Sequence, residues 1–176
     1  MNEEKPQLKK QYYPINSNLR SYLEKYKRLT KTRVFYEDLL RFQGGISVFD
    51  KDDKDDKDTL WVRVYYNEFE KDELDKSLKK VYTLLHSDGD ESSIEYLNVD
   101  YIDFCTFGNS KPFRVKIRNI LNDNYTHFYI KQADASRIFG LEIEHIISPN
   151  SINFLVFEDT LIEEHIVGIP GDVFLE

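Results

Sequence analysis

In the first half of the chain, apolar residues recur at the spacing of an α-helix. One helix is predicted from Ser17 to about residue 29, and a second over 33–42. From residue 67 the same spacing predicts a longer helix, which Asn67 and Glu70 would open as a capping box. The apolar stripe of this third helix consists of Leu74, Leu78, Val81 and Leu85.

Elsewhere, apolar residues alternate with polar ones or form short runs, which predicts β-strands. The predicted strands cover residues 46–49, 60–66, 94–104, 113–118, 127–131, 152–157 and 160–167. Residues 134–147 return to helical spacing. From residue 94 the chain therefore has the predicted order strand, turn, strand, turn, strand, helix, strand, strand.

This order predicts an α+β fold. We expect an antiparallel five-stranded sheet with one packed helix, preceded by a helical N-terminal extension. Near residue 90 the spacing of apolar residues changes from helical to strand-like. The predicted division is a polar tail over 1–16, a helical extension with a strand-helix segment over 17–90, and the α+β domain over 91–176.

One segment of low complexity interrupts the first half of the chain. The run from Asp50 to Asp58 alternates aspartate with lysine, which predicts a solvated loop. It lacks the interior glycine and the terminal glutamate of a calcium-binding loop. We therefore expect no cation site there.

Composition narrows the function classes. The chain is 40% hydrophobic and 32% charged, which is typical of a globular protein. A net charge of −8 argues against nonspecific binding to nucleic acid or to anionic membranes. Basic patches are nevertheless present locally, at Lys9 and Lys10, over 25–33 and over 111–118.

The single cysteine and the absence of long apolar runs bear on the compartment. Cys105 cannot form an intramolecular disulfide, and it fits a reducing environment as a small residue on a strand. No apolar run approaches the roughly 18 residues of a membrane span. The sequence therefore predicts a cytoplasmic protein that does not contact membranes.

Three short motifs follow one another in the second half. Phe107-Gly-Asn-Ser110 is a turn, Tyr129-Ile-Lys131 ends a strand with one lysine, and Phe139-Gly-Leu-Glu-Ile-Glu144 lies on the next helix. The segment 161–166, followed by Gly168, is the last strand. In this order they resemble the small lobe of protein-kinase-like phosphotransferases, closest to the choline/ethanolamine kinase and aminoglycoside phosphotransferase branch.

The resemblance implies a nucleotide site that uses ATP and Mg²⁺. Lys131 would hold the phosphates, and a carboxylate on the following helix would keep the lysine extended. The resemblance also implies that the turn covers the phosphates and that the last strand binds the edge of the adenine ring. The residues implied at those two places are Gly108, Asn109, Ser110, Glu164 and Ile166.

Two glutamates compete for the lysine. Family-like spacing from Lys131 favours Glu144. Helical geometry favours Glu142, because the apolar residues of this helix centre on a face that includes Glu142 and leaves Glu144 opposite. We prefer Glu142 and keep Glu144. The competing interpretations are an ordinary edge lysine on an amphipathic strand and a surface charge on a helix.

The sequence also departs from the family pattern. The turn has one glycine where protein kinases have three, and no His-Arg-Asp or Asp-Phe-Gly motif follows Lys131. The resemblance therefore implies nucleotide binding without phosphate transfer, in a fragment or relic whose partner would be a catalytic lobe. The alternative is a small α+β interaction or scaffold domain that contacts proteins and binds no nucleotide.

Overall fold

A computed structural model describes residues 11–49 and 58–165. Most of the aspartate-rich run, the first ten residues and Ile166 lie outside these ranges, so the predictions made for them are not addressed. The described elements are α1 (Ser17–Lys25), α2 (Tyr36–Leu39), β1 (Gly44–Phe49), β2 (Asp58–Tyr65), α3 (Glu68–His86), a 3-10 turn (Ile94–Tyr96), β3 (Leu97–Cys105), β4 (Phe113–Asn119), β5 (Tyr125–Gln132), α4 (Ala135–Ile147), β6 (Phe154–Phe157) and β7 (Thr160–Glu164). None of these helices is both long and apolar enough to cross a membrane.

The strands form one antiparallel sheet in the order β1-β2-β3-β4-β5-β7-β6. The α+β class and the antiparallel arrangement are thus confirmed. The expected five strands are corrected to seven, because β2 pairs with β3 and brings β1 with it. Val62 lies opposite Phe104, so the sheet continues across the predicted border near residue 90.

One face of the sheet packs against α2 and α3. Its core is apolar throughout, and its centre is formed by fully buried side chains of α3, β4 and β5. These central side chains are Leu78, Val81, Phe113, Val115, Phe128 and Ile130. The prediction of a single packed helix is therefore also corrected.

The opposite face has helices only at its β6–β7 end, within the described residues. There α1 and α4 enclose a second, smaller core with the strands. It contains Leu19, Leu23, Ile138, Leu141, Phe154, Val156 and Leu161. Over β2 to β5 this face therefore depends on polar side chains for its packing.

The long helix α3 begins as predicted. The Asn67 side chain accepts a hydrogen bond from the Glu70 N–H at 2.9 Å, and its amide donates to the Glu70 carboxylate at 2.7 Å. The Glu70 N–H is thereby satisfied, and the Glu70 carboxylate bonds back to the cap side chain, where a standard capping box uses the backbone N–H of the cap residue.

The first helix is shorter than predicted. It ends at Lys25, and Lys27 adopts a left-handed backbone with φ of 57°. The next residues pair with the edge strand instead, since Thr30 N–H donates to Val156 O and Val156 N–H donates to Arg28 O. Strand-like bonding to β6 replaces the last predicted helical turn.

The glycine pair after α2 opens β1 and does not end a helix. A Cβ on Gly45 would lie 2.4 Å from Cγ1 of Val62 on the paired strand, so the close approach of β1 to β2 requires glycine. The second helix is correspondingly confined to Tyr36–Leu39.

The packing of α3 is tested by shortening a buried leucine. Leu78 is fully buried between α3 and the sheet, so Leu78→Ala should lower the free energy of unfolding by about 2–5 kcal/mol. Leu84→Ala is the matched control on the same helix, because Leu84 is partly exposed and should cost under about 1 kcal/mol. Urea unfolding measures both, and equal losses would contradict this assignment of the core.

Candidate functional site

Lys131 lies on β5 and is held by a carboxylate of the neighbouring strand. Its Nζ is 3.0 Å from an oxygen of Glu163 on β7. Arg137, in the first turns of α4, binds the same carboxylate through Nε at 2.9 Å and through a terminal nitrogen at 3.0 Å. One buried carboxylate thus joins two strands and a helix.

The sheet register explains this contact. Tyr129 pairs with Glu163, and Lys131 pairs with Leu161, so Lys131 and Glu163 are diagonal neighbours on one face. The N-cap residue Asp134 fixes the start of α4 by accepting from the Ser136 N–H, which sets the position of Arg137 one turn later.

The electrostatics of this cluster favour its ionised form. Burial alone raises the pKa of the Glu163 carboxyl, but hydrogen bonds from Arg137 and the charges of Lys131 and Arg137 outweigh burial and lower it. The same hydrogen bonds raise the pKa of Arg137. Two cations share one carboxylate, so the cluster keeps a positive charge near its surface.

The two helix glutamates have other partners. Glu142 is buried, although much of the apolar face on which helical geometry placed it is exposed. Its carboxylate accepts from Arg28 Nε at 2.8 Å and from the Tyr22 hydroxyl at 3.1 Å. Glu144 is half-buried, and its charge contributes to the raised pKa of Arg137. In the described contacts, Glu163 therefore takes the place that sequence analysis gave to a helix glutamate.

Sequence reasoning missed Glu163, although a signal was present. Glu163 follows Thr160, Leu161 and Ile162, all buried on β7, and it is itself buried. A carboxylate at such a position needs a cationic partner. A partner on the adjacent strand requires knowing that β7 pairs with β5, which the linear order does not state.

The predicted phosphate-covering turn lies at the Lys131 end of the sheet. Phe113 pairs with Ile130, so the chain preceding β4 runs out beside Lys131. Residues 108–110 are exposed, and Gly108 has φ of 86°, a conformation that favours glycine. The turn and Lys131 therefore lie at the same end of strands β4 and β5.

Glu164 lies on the other face of the sheet. Its carboxylate is 3.2 Å from Nδ1 of His86 at the end of α3, and it accepts from the Asn153 N–H at 2.9 Å. Its own N–H is bonded to the Asn153 carbonyl. The Glu164 side chain is thus separated from Lys131 by the thickness of the sheet.

The sheet face that carries Lys131 is rich in cations and aromatic rings; we call it the basic sheet face. Paired positions on β2 to β5 and β7 place these side chains side by side. The basic sheet face consists of Trp61, Arg63, Asp100, Tyr101, Asp103, Arg114, Lys116, Arg118, Tyr125, His127, Tyr129, Lys131 and Glu163. With the adjoining Arg137 and Asp123, six cationic groups meet four carboxylates in a chain whose net charge is −8.

A second buried carboxylate holds the middle of this face. Asp103 is fully buried, between Arg63 Nε at 3.0 Å and Arg114 at 2.8 Å. Because an isolated buried charge is expensive, this pairing stabilises both arginines in place. The Nε of Arg114 is itself buried and has no hydrogen-bond partner in the described part of the chain.

The arginines also lie over aromatic rings. The Arg63 guanidinium is 3.8 Å from the centroid of Tyr101, and that of Arg114 is 4.4 Å from the ring of Trp61. Lys116 lies 4.1 Å from the ring of Tyr125, which is 60% exposed at the end of β5. Stacked guanidinium and aromatic planes are surfaces on which flat rings bind.

Burial and the neighbouring cations both disfavour the charged form of His127. Burial lowers its pKa first, the charges of Arg114 and Lys116 and the nearby His165 lower it further, and the result is a pKa of about 4. Its Nε2 is hydrogen-bonded to the Tyr101 hydroxyl at 3.0 Å. At neutral pH the imidazole is uncharged.

A separate open cleft of about 1070 Å³ lies between α2 and α3. Val34, Phe35, Tyr66 and Leu74 form its apolar part, and Phe69 on its rim is 72% exposed. Acidic and basic side chains also line the cleft.

The described residues contain no cluster of three or more histidine, cysteine or acidic side chains able to hold a metal ion. The carboxylates Asp103 and Glu163 are occupied by arginine and lysine. The groups present therefore fit an anion and a flat ring, and they do not form a magnesium site by themselves.

Comparison of the chain with protein-family models, with curated proteins and with solved structures gave no match. The resemblance to phosphotransferase small lobes thus stays a prediction, as do the ligands that it implies.

The environment of His127 is tested by its titration. We expect the ring resonances of His127 to titrate near pH 4, because burial and the neighbouring cations disfavour the imidazolium. The unfolded chain takes up this proton near pH 6.5, so the folded state loses stability as pH falls from about 6.5 to 4. NMR titration measures the pKa, and His127→Gln identifies the resonance.

The same variant provides the thermodynamic control. Between about pH 6.5 and 4, the free energy of unfolding of His127→Gln should fall less than that of the wild type, because the variant lacks the contribution of His127. A His127 pKa at or above 6.5 would contradict the positive potential assigned to the basic sheet face.

Proposed function

We propose that this chain is the nucleotide-binding portion of a kinase-like phosphotransferase, with ATP on the basic sheet face and Lys131 on the phosphates. The observation that carries the proposal is the half-buried Lys131, held 3.0 Å from Glu163, with Arg137 on the same carboxylate. Glu163 acts as the orienting acid in place of a helix glutamate. No His-Arg-Asp or Asp-Phe-Gly motif is present, so the chain binds and does not transfer phosphate by itself.

Charge supports the phosphate part of the proposal. The basic sheet face keeps an excess of cations, although the chain as a whole carries −8. A triphosphate is drawn to such a local excess, and partly buried charges are screened less by salt than exposed ones. The exposed turn at residues 108–110 lies at the same edge and can approach the phosphates from the solvent side.

Aromatic and guanidinium planes support the base part. Arg63 over Tyr101 and Arg114 over Trp61 are two preformed stacks on the same face as Lys131. A purine ring gains roughly 1–3 kcal/mol by stacking on such a plane. Mg²⁺ would reach this site together with the nucleotide, because the described residues supply no metal cluster of their own.

The test is nucleotide-dependent thermal stabilisation. Magnesium-ATP at about fifty times its Kd contributes roughly 2 kcal/mol to the folded state, which should raise the Tm by about 5 °C. Lys131→Met should abolish this rise, because the lysine that meets the phosphates is gone. Each shift is measured against the same variant without ligand, so a change in intrinsic stability does not confuse the result.

Two controls make the outcome specific. Lys80→Met removes an exposed lysine of α3 that pairs with Glu91 at 3.8 Å, and it should leave the ATP shift unchanged. Tripolyphosphate, which lacks a base, should give a smaller shift than ATP. Equal shifts for wild-type and Lys131→Met would overturn the proposal.

A second candidate function is a protein-interaction or scaffold domain without nucleotide binding. The observation that favours it is the cleft between α2 and α3, whose rim exposes Phe69. No shift with ATP, ADP or GTP would favour this candidate. A shift that depends on Lys131 would favour the first.

A further inference from the structure

Helix α4 presents an apolar face to solvent on the side away from the sheet. Phe139 and Ile143 are 55% and 54% exposed, and Ile146 and Ile147 are 78% and 76% exposed. Their spacing puts all four on one side of the helix, opposite the buried Ile138, Leu141 and Glu142. Four large apolar residues in one exposed row are uncommon on a monomer surface.

A glycine interrupts this row without an internal reason. A Cβ added to Gly140 would meet no described atom within 4 Å, so packing within the described chain does not require glycine there. Glycine inside a helix costs roughly 0.5–1 kcal/mol relative to alanine. Together with its four exposed neighbours, Gly140 occupies about 120° of the helix circumference, centred on Ile143.

We infer that this face of α4 binds α4 of a second copy of the chain, antiparallel and about a two-fold axis beside Ile143. This register is self-complementary, because the same flank of each helix meets in an antiparallel pair: Phe139 lies against Ile146 of the partner subunit, and Gly140 lies against Ile147 of the partner subunit. Ile147 of the partner subunit then fills the space that Gly140 leaves. In a two-fold interface each such contact occurs twice.

Charge and area are compatible with a pair of identical surfaces. The five positions of the row carry no charge, so the net charge of −8 does not bring like charges together at the centre of the contact. The exposed row offers on the order of 500 Å² of apolar surface per copy, below the roughly 800 Å² of a standard stable interface. The expected dimer is therefore weak, with a Kd on the order of 10–100 µM. This inference does not depend on the proposed nucleotide site.

Sedimentation velocity of the full chain, from about 5 to 500 µM, measures the association. Ile143→Lys places two lysines beside the axis and should raise the Kd by at least about tenfold. The matched control is Ile46→Lys, which changes an isoleucine that is 62% exposed on β1 and should leave the Kd unchanged. Raising salt from about 0.05 to 0.5 M should not weaken an apolar contact.

The orientation is tested by cross-linking in a Cys105→Ser background. Chains with Phe139→Cys and chains with Ile146→Cys, mixed and treated with a short bis-maleimide, should cross-link more than either chain alone. Stronger cross-linking of each variant with itself indicates a parallel pair and overturns the inference.

Two further results would also overturn it. One is a monomer at every concentration. The other is a monomer in which Ile143→Lys lowers the Tm while Ile46→Lys does not, since that pattern indicates that a segment of the same chain covers α4. A dimer that both variants weaken equally would place the contact elsewhere.

Discussion

The structure depends on how the second face of a seven-stranded sheet is filled. Over β2 to β5 one face packs against α2 and α3, whereas the other has no helix in the described part of the chain. Two buried carboxylates, Asp103 and Glu163, each hold two cationic side chains on that face. A buried carboxylate without such partners would cost several kcal/mol, so the cations are required for the fold before any ligand is considered.

This requirement also shapes the chemistry available to the face. Replacing Arg63 and Arg114 by apolar residues would leave Asp103 unpaired. In the positions that pair with Asp103, the two guanidinium groups lie over Tyr101 and Trp61. The result is a half-buried, positively charged and aromatic surface on an acidic chain. A surface with these properties suits an anion attached to a flat ring, which is the physical basis of the proposed nucleotide site.

The two sides of helix α4 have different roles. Lys131 and Arg137 meet on Glu163, so α4 is fixed to the sheet by charge at its first turns and by apolar packing of Ile138 and Leu141. That attachment uses one side of α4 and leaves the opposite side, around Gly140, exposed and apolar. Ligand binding and association between copies can therefore occupy separate surfaces of one unit.

The sequence by itself determined the local elements and some of their burial. Asn67 and Glu70 fixed the start of α3, and the apolar periodicity of residues 134–147 predicted the helix α4 but not its inner face, because Phe139, Ile143 and Ile146 are exposed. These features depend on residues within one or two helical turns of each other, so linear spacing contains them. The number of strands in the sheet and the partner of Lys131 depended on tertiary structure. Both are set by which strands pair across long separations, β2 with β3 and β5 with β7, and a period along the chain carries no information about such pairing.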